Sequence, residues 1–109
     1  TLAGKFKDDF EIKDKNNVKV QTKEILLNNQ FKQAFDFFRE KEISENCLIY
    51  HHIGIYAFTK EALLRYVSLN RTKNEIDRNL EQLRALDNNM KIQTHPLLHL
   101  KLKQLLLIL

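Results

Sequence analysis

The chain is poor in cysteine, glycine and proline. Cys47 is its single cysteine in 109 residues, which excludes an internal disulfide and indicates a reducing compartment. Gly4 and Gly54 are the two glycines, too few for a glycine-rich phosphate loop. The longest uninterrupted apolar run is residues 105–109, far short of the roughly 20 residues of a membrane span. We therefore expect a cytoplasmic protein without a membrane partner.

The sequence also lacks an initiating methionine and a secretory signal, so we expect a fragment of a longer protein. What it does contain is ordinary for a folded domain: 43% of residues are apolar and 29% are charged. The formal charge is +4, but lysines and arginines are scattered and form no basic stripe. Nucleic acid is therefore not an expected partner.

Local patterns predict two strands separated by an ambiguous element. Residues 17–22 alternate apolar and polar residues as a half-buried strand does. Residues 48–58 are rich in β-branched and aromatic residues and also predict a strand, with Ile53, Ile55 and Ala57 on its core face. The phenylalanines of residues 31–38 fit strand alternation and a helical stripe equally well, and the local pattern alone favours a helix.

Two helices should follow. Thr59 is a plausible N-cap for a short helix that ends near Asn70. Thr72 and Glu75 form a capping-box pattern at the start of the second helix, which the Asn88–Asn89 pair should end. The apolar stripe of this second helix is Ile76, Leu80 and Leu83. With a further strand after Met90, the order predicts an α/β fold with a partial mixed sheet flanked by helices.

His52 and Tyr56 are the first candidate site residues. Four positions apart in a strand, they would share one face about 13 Å apart, with Gly54 leaving space between them. They could line an elongated polar ligand. On the sequence alone, half-buried strand residues with satisfied hydrogen bonds are the favoured alternative.

Other polar residues give weaker signals. Glu81 and Gln82 lie off the apolar stripe of the second helix, where a solvated face with Glu81 near Arg84 is the simpler interpretation. His95 and His99 have metal-ligand spacing, but Pro96 interrupts them and no carboxylate joins them. We therefore expect no metal site among these residues.

Longer stretches of the sequence resemble a known family. The stretches "HHIGIYAFTKEALLRYVSL" and "LEQLRALDNNMKI" resemble 3-deoxy-manno-octulosonate cytidylyltransferases, the CMP-Kdo synthetases, which carry a His-x-Gly-Ile-Tyr strand and a Leu-Glu-Gln-Leu-Arg helix. Upstream, "NNVKV" and "AFDFFRE" resemble family segments more weakly, and the second implies a strand over residues 33–39 instead of a helix. The resemblance covers residues 1–92.

The resemblance implies an activity and a set of site residues. In such enzymes the anomeric hydroxyl of Kdo attacks the α-phosphate of CTP in the presence of magnesium, giving CMP-Kdo and pyrophosphate, and the enzymes are homodimers. Carried over by position, the residues that would bind the sugar acid are His52, Tyr56, Glu81, Gln82 and, less directly, Arg39. No catalytic residue and no magnesium ligand is assigned in this chain.

The departures from the family shape the hypothesis. The nucleotide-binding loop and first metal aspartate belong to a family segment that has no counterpart here, and residues 93–109 form a Leu-rich tail without an acidic residue. We therefore divide the chain into a sugar-binding and dimerising part, 1–92, and an atypical tail. The expected function is a fragment of a CMP-Kdo synthetase that is inactive alone; the alternative is a non-catalytic homodimerising module.

Overall fold

The structure, a computed structural model, describes residues 1–27 and 29–97. These residues form five strands and four helices, in agreement with the predicted α/β class. In chain order the elements are β1 (Leu2–Gly4), α1 (Asp9–Lys13), β2 (Lys19–Thr22), β3 (Lys32–Phe38), β4 (Leu48–Ile53), α2 (Lys60–Ser68), α3 (Lys73–Arg78), α4 (Gln82–Asp87) and β5 (Gln93–Pro96).

The predicted mixed sheet is confirmed, and it closes on itself. The strand order is β1-β4-β2-β3-β5, and β5 returns to pair with β1. The β1–β5 pair is parallel, with Leu2 opposite His95, and the other pairs are antiparallel. Residues 93–96, at the start of the Leu-rich tail, therefore supply the strand that completes the barrel.

Strand β3 resolves the ambiguity of the phenylalanine-rich segment. Asp36 pairs with Gln21 and Ala34 with Thr22, so Phe35 between them is an extra residue in a β-bulge. The bulge shifts the alternation by one residue, and Phe35 is exposed while Phe37 and Phe38 are buried. The local preference for a helix is wrong, and the strand implied by the family resemblance is present.

Strand β4 is shorter than predicted. It ends at Ile53, where the Ile55 N–H turns back to donate to the Ile53 carbonyl at 2.7 Å. The backbone then runs outside the sheet up to α2. Ile55 is 41% exposed and Ala57 is also exposed, so the predicted core face beyond Ile53 is wrong.

The helix starts follow their predicted caps. Thr59 accepts from the Ala62 N–H at the start of α2, and the capping box between Thr72 and Glu75 is present at the start of α3. The prediction of one continuous second helix is wrong, however, because this segment forms two helices, α3 and α4. Asn79 has a left-handed backbone (φ 54°, ψ 50°), which ends α3 and starts a new direction for α4.

The hydrophobic core lies inside the barrel and under α4. Its buried members are Ala3, Val20, Leu26, Ala34, Phe37, Tyr50, Leu80 and Leu83. Of the stripe predicted for the second helix, Ile76 is 54% exposed because the break at Asn79 turns it away from this core. Helix α2 buries no residue at all. Within residues 1–27 and 29–97, no helix is long and apolar enough to cross a membrane.

Candidate functional site

A cavity of about 770 Å³ opens between one end of the barrel and the helices. It is bounded by the ends of β3 and β4, the segment 54–59, α2 and the start of α4. All five residues predicted from the resemblance line it: Arg39, His52, Tyr56, Glu81 and Gln82. The structure therefore brings together residues that are distant in the sequence. The volume of the cavity falls in the range of small-molecule sites.

His52 and Tyr56 are in contact, which the extended-strand prediction did not allow. The turn after Ile53 brings the Tyr56 hydroxyl to 3.2 Å from the Nε2 atom of His52. Their rings lie 5.6 Å apart between centroids, in place of the 13 Å expected along a strand. Gly54 also lines the cavity, and a Cβ built on it would meet no atom within 4 Å. The space beside Gly54 is thus open to a ligand.

The His52 imidazole is neutral at physiological pH. Burial lowers the pKa of His52 from 6.5 to about 4, because a charged ring loses its hydration there. Its ring also packs edge-on to Phe37, with centroids 5.0 Å apart. Burial raises the pKa of Tyr56, so its phenol keeps its proton. Both groups therefore offer neutral hydrogen bonds to the cavity.

Arg39 supplies a cation that is not paired with a carboxylate of any described residue. It follows β3 directly, and its guanidinium reaches the carbonyls of Lys15, Asn16 and Asn79 at 3.4–3.5 Å. Among the described residues no carboxylate lies within ion-pair distance of it. These contacts are long, so the guanidinium can exchange them for a bidentate bond to an anionic ligand.

The backbone at Arg39 is held by the buried Lys19 side chain from β2. The ammonium of Lys19, which is 1% exposed, donates to the Arg39 carbonyl at 2.6 Å and to the Asp14 carbonyl at 2.9 Å. Desolvation lowers the pKa of this amine. The end of β3, and with it the start of the Arg39 side chain, is thereby fixed relative to β2.

Glu81 and Gln82 lie at the start of α4 instead of inside a long helix. Glu81 occupies the N-cap position and Gln82 is the first helical residue. The break at Asn79 therefore directs both toward the cavity and away from the solvated face that the sequence favoured. The expected pairing of Glu81 with Arg84 is absent, since Arg84 binds Glu75.

The sequence predicted only a capping role for the residue that supports the helical side of the cavity. Glu75 is 1% exposed and accepts hydrogen bonds from Arg84, which holds the pKa of Glu75 below its usual range. The Arg84 guanidinium lies 4.9 Å from the centre of the Tyr66 ring, and the Tyr66 hydroxyl donates to the Glu81 carbonyl at 3.0 Å. The arginine of "LEQLR" was the one available signal for this network.

An aromatic wall completes the cavity. The Tyr56 and Phe58 rings lie 6.2 Å apart, and Phe58 and Tyr66 lie 5.8 Å apart. Such a wall can pack against the carbon skeleton of a polar ligand while Arg39 and Glu81 bind its substituents. The site is therefore suited to a polyhydroxylated acid.

A metal ion is less well provided for. Within the residues that the structure describes, no three histidine, cysteine, aspartate or glutamate side chains come close enough to bind one. The described residues alone thus do not fit a magnesium site. His99, half of the histidine pair considered from the sequence, lies outside the described residues.

Comparison with known proteins identifies the family that the sequence resembles. The cytidylyltransferase family profile matches residues 1–92. The 3-deoxy-manno-octulosonate cytidylyltransferases of Bartonella tribocorum and Bartonella bacilliformis are 39% and 40% identical to this chain over 92 residues, covering 84% of it and 37% of each relative. The chain thus spans little more than a third of the length of these relatives.

A solved structure adds agreement in three dimensions. The CMP:2-keto-3-deoxy-manno-octonic acid synthetase in complex with CTP superposes with a TM-score of 0.69 at 26% identity. The match covers 89% of this chain and 39% of that one. The barrel and its helices therefore correspond to one part of the larger fold.

Proposed function

Because the chain belongs to the cytidylyltransferase family, we propose that its cavity is the sugar-acid site of a 3-deoxy-manno-octulosonate cytidylyltransferase. The observation that carries the proposal is a cavity that brings Arg39 together with His52, Tyr56, Glu81 and Gln82. In the described part of the chain, Arg39 has no carboxylate partner. The relatives act on Kdo by name, and Kdo combines a carboxylate with several hydroxyl groups. Each feature of the ligand has a counterpart in the cavity.

The residues then have distinct roles. Arg39 binds the carboxylate through its guanidinium, the only group type in the site that matches a carboxylate with two parallel donors. Glu81 accepts from sugar hydroxyl groups, and Gln82 both donates and accepts. His52 and Tyr56 contact oxygen atoms from the barrel side. Tyr66 and Phe58 pack against the carbon skeleton.

In the complete enzyme the sugar site would present the anomeric hydroxyl to CTP. The new bond joins the anomeric oxygen to the α-phosphorus, the bond from the α-phosphorus to the bridging oxygen breaks, pyrophosphate leaves, and the hydroxyl proton is lost. CTP and magnesium are partners of the complete enzyme in this proposal. The proposal includes a cytoplasmic location.

The role of the cavity is tested by titrating the 109-residue chain with Kdo and following the amide spectrum by NMR. Kdo should shift the resonances of residues around the cavity. Arg39→Gln should weaken binding by about ten- to a hundredfold, since a charge-assisted hydrogen bond contributes about 1.5–3 kcal/mol. Arg65→Gln removes the same charge from α2, outside the cavity lining, and should bind as the unaltered chain does.

A neutral Kdo analogue, the methyl ester, separates charge recognition from general damage. Arg39→Gln should bind the ester about as well as the unaltered chain does. An equal loss for the acid and the ester would show that Arg39 supports the fold of the cavity without binding the carboxylate. No shift at millimolar Kdo would refute the sugar site in this chain.

We also propose that the chain alone does not catalyse cytidylyl transfer. It contributes the sugar side of a reaction whose phosphate side would come from the remaining length of the relatives. The measurement is pyrophosphate release from CTP and Kdo with magnesium. Release above the level of a Glu81→Gln, Arg39→Gln double variant would overturn the proposal.

A homodimerising module is the second candidate function. The observation that favours it is the apolar surface of α2, where Leu64 is 58% and Val67 is 64% exposed. Exposed apolar side chains clustered on one helix are typical of an interface. Sedimentation should reveal a concentration-dependent dimer that Leu64→Lys disrupts and Phe10→Lys, at an exposed phenylalanine of α1, does not. A monomer at every concentration would exclude it.

A further inference from the structure

His52 reaches two hydroxyl groups through the same ring nitrogen. Its Nε2 atom lies 3.0 Å from the Thr1 hydroxyl oxygen and 3.2 Å from the Tyr56 hydroxyl oxygen. A neutral imidazole nitrogen either carries a proton and donates, or carries a lone pair and accepts. The direction of one of these two hydrogen bonds therefore determines the other.

The neighbours of the Thr1 hydroxyl favour one direction for its hydrogen bonds. Its hydroxyl oxygen lies 2.8 Å from the Ile55 carbonyl and 3.2 Å from the Ile53 carbonyl. Carbonyl oxygens only accept, so the single hydroxyl proton of Thr1 goes to one of them, and Ile55 is the closer. The Thr1 oxygen then accepts from His52, which requires the proton of the imidazole to be on Nε2.

The proton on His52 decides what Tyr56 can do. Because Nε2 donates, the Tyr56 oxygen can only accept from it, and the phenolic proton is not used in this contact. Among the described residues the Thr1 hydroxyl is the other side chain that forms a hydrogen bond with Tyr56, and in this arrangement its oxygen already accepts from His52. Tyr56 lines the cavity, so its proton is available to an oxygen of a bound ligand.

We propose that Thr1 is a positioning residue that fixes the Nε2–H tautomer of His52 and thereby keeps the Tyr56 hydroxyl as a donor to the ligand. The residue acts through two others and does not itself need to contact the ligand. The ligand half of this inference rests on the proposed sugar-acid site. The tautomer half is independent of it.

The tautomer is tested directly by ¹⁵N NMR of the histidine side chains near pH 7, with His52→Gln to assign the resonances. In the unaltered chain Nε2 of His52 should be the protonated nitrogen. Thr1→Val removes the acceptor, so Tyr56 should donate to Nε2 and the proton should move to Nδ1. Thr1→Ser, which restores a hydroxyl, should restore the original spectrum.

Either of two results would overturn the proposal: an Nδ1–H tautomer in the unaltered chain, or an unchanged tautomer in folded Thr1→Val. The valine variant keeps the backbone hydrogen bonds of Thr1, from its N–H to the Gln93 carbonyl and from the His95 N–H to its own carbonyl. If Thr1→Val nevertheless fails to fold, the unaltered chain and Thr1→Ser decide between the two tautomers by themselves.

The ligand half is tested by a double-mutant cycle with Kdo as the probe. Tyr56→Phe should weaken binding about tenfold, as the loss of one hydrogen bond of about 1.4 kcal/mol does. Thr1→Val should cause a similar loss alone but almost none in the Tyr56→Phe background, since its effect passes through the Tyr56 proton. Additive losses would refute this route. Absence of Kdo binding in the unaltered chain would refute the sugar site and leave the tautomer result standing.

Discussion

The two sides of the cavity are held by different kinds of interaction. On the barrel side, His52 lies within β4, packs against buried Phe37, and is fixed by the register of the sheet. On the helical side, Glu81 is positioned by a break at Asn79 and by the network of Glu75, Arg84 and Tyr66. The barrel side is therefore held by sheet register and an aromatic contact, and the helical side adds a polar network to the packing of α4.

The two helices of that side also differ from each other. Helix α4 buries Leu83 and Ala85 in the core, whereas α2 buries nothing. Local stability in a protein follows the number of buried apolar contacts. We expect α4 to open only when the whole domain unfolds and α2 to open by itself. Two pairs of substitutions test this difference, and a pH titration tests the barrel side.

The largest effect should come from removing the anchor of α4. Leu83 is 3% exposed, so Leu83→Ala should lower the free energy of unfolding by about 2–5 kcal/mol, through lost burial and a residual cavity. Leu64→Ala makes the same chemical change at a 58% exposed position of α2 and should cost less than about 0.5 kcal/mol. Urea denaturation measures both. Equal losses would mean that α2 is as firmly packed as α4.

The second-largest effect should be a loss of stability in acid, and it should come from His52 on the barrel side. The pKa of His52 is lowered to about 4 in the folded protein and is 6.5 when unfolded. The unfolded state therefore binds more protons between these values, and stability should fall as the pH drops from 6.5 toward 4. His52→Gln should make this part of the pH dependence smaller. The urea midpoint measured from pH 7 to 4 tests it, and identical curves would argue against a buried neutral imidazole.

The smallest effects should come from the two helix caps. Thr72→Ala removes the capping box of α3, whose Glu75 is tied to α4, and should cost about 1 kcal/mol of global stability. Thr59→Ala removes an equivalent cap from α2 and should speed amide exchange within that helix while leaving the urea midpoint almost unchanged. A global loss from Thr59→Ala would show that α2 is coupled to the core after all.

The sequence predicted best where a local signal and the tertiary structure agree. Both threonine caps and the Asn88–Asn89 stop could be found because a cap is satisfied within its own turn. The strand at residues 32–38 could not be found from periodicity, because the bulge at Phe35 removes the alternation. The family resemblance supplied it, because a longer stretch carries information that a short period does not.

The same holds for the site, where the residues could be predicted but their contacts could not. The five cavity residues could be named from the resemblance, and the structure adds how they meet. The contact between His52 and Tyr56 could not be predicted, because the turn after Ile53 lies inside an apolar stretch with a strong strand preference. From the sequence, Glu75 could be assigned only to the capping box at the start of α3. Its burial and its bond to Arg84 depend on a chain reversal at Asn79 that neither residue encodes.

Closure of the barrel also has a consequence for the order of folding. The segments of β1 and β5 are joined by hydrogen bonds between residues far apart in the sequence, such as those from the His95 N–H to the Thr1 carbonyl and from Thr1 to the Gln93 carbonyl. Contacts this distant in sequence form slowly, because a long loop must close before they form. During synthesis β1 and β4 can pair early, but the edges of β1 and β3 stay open until β5 leaves the ribosome. Until then this domain exposes two unpaired strand edges to neighbouring chains.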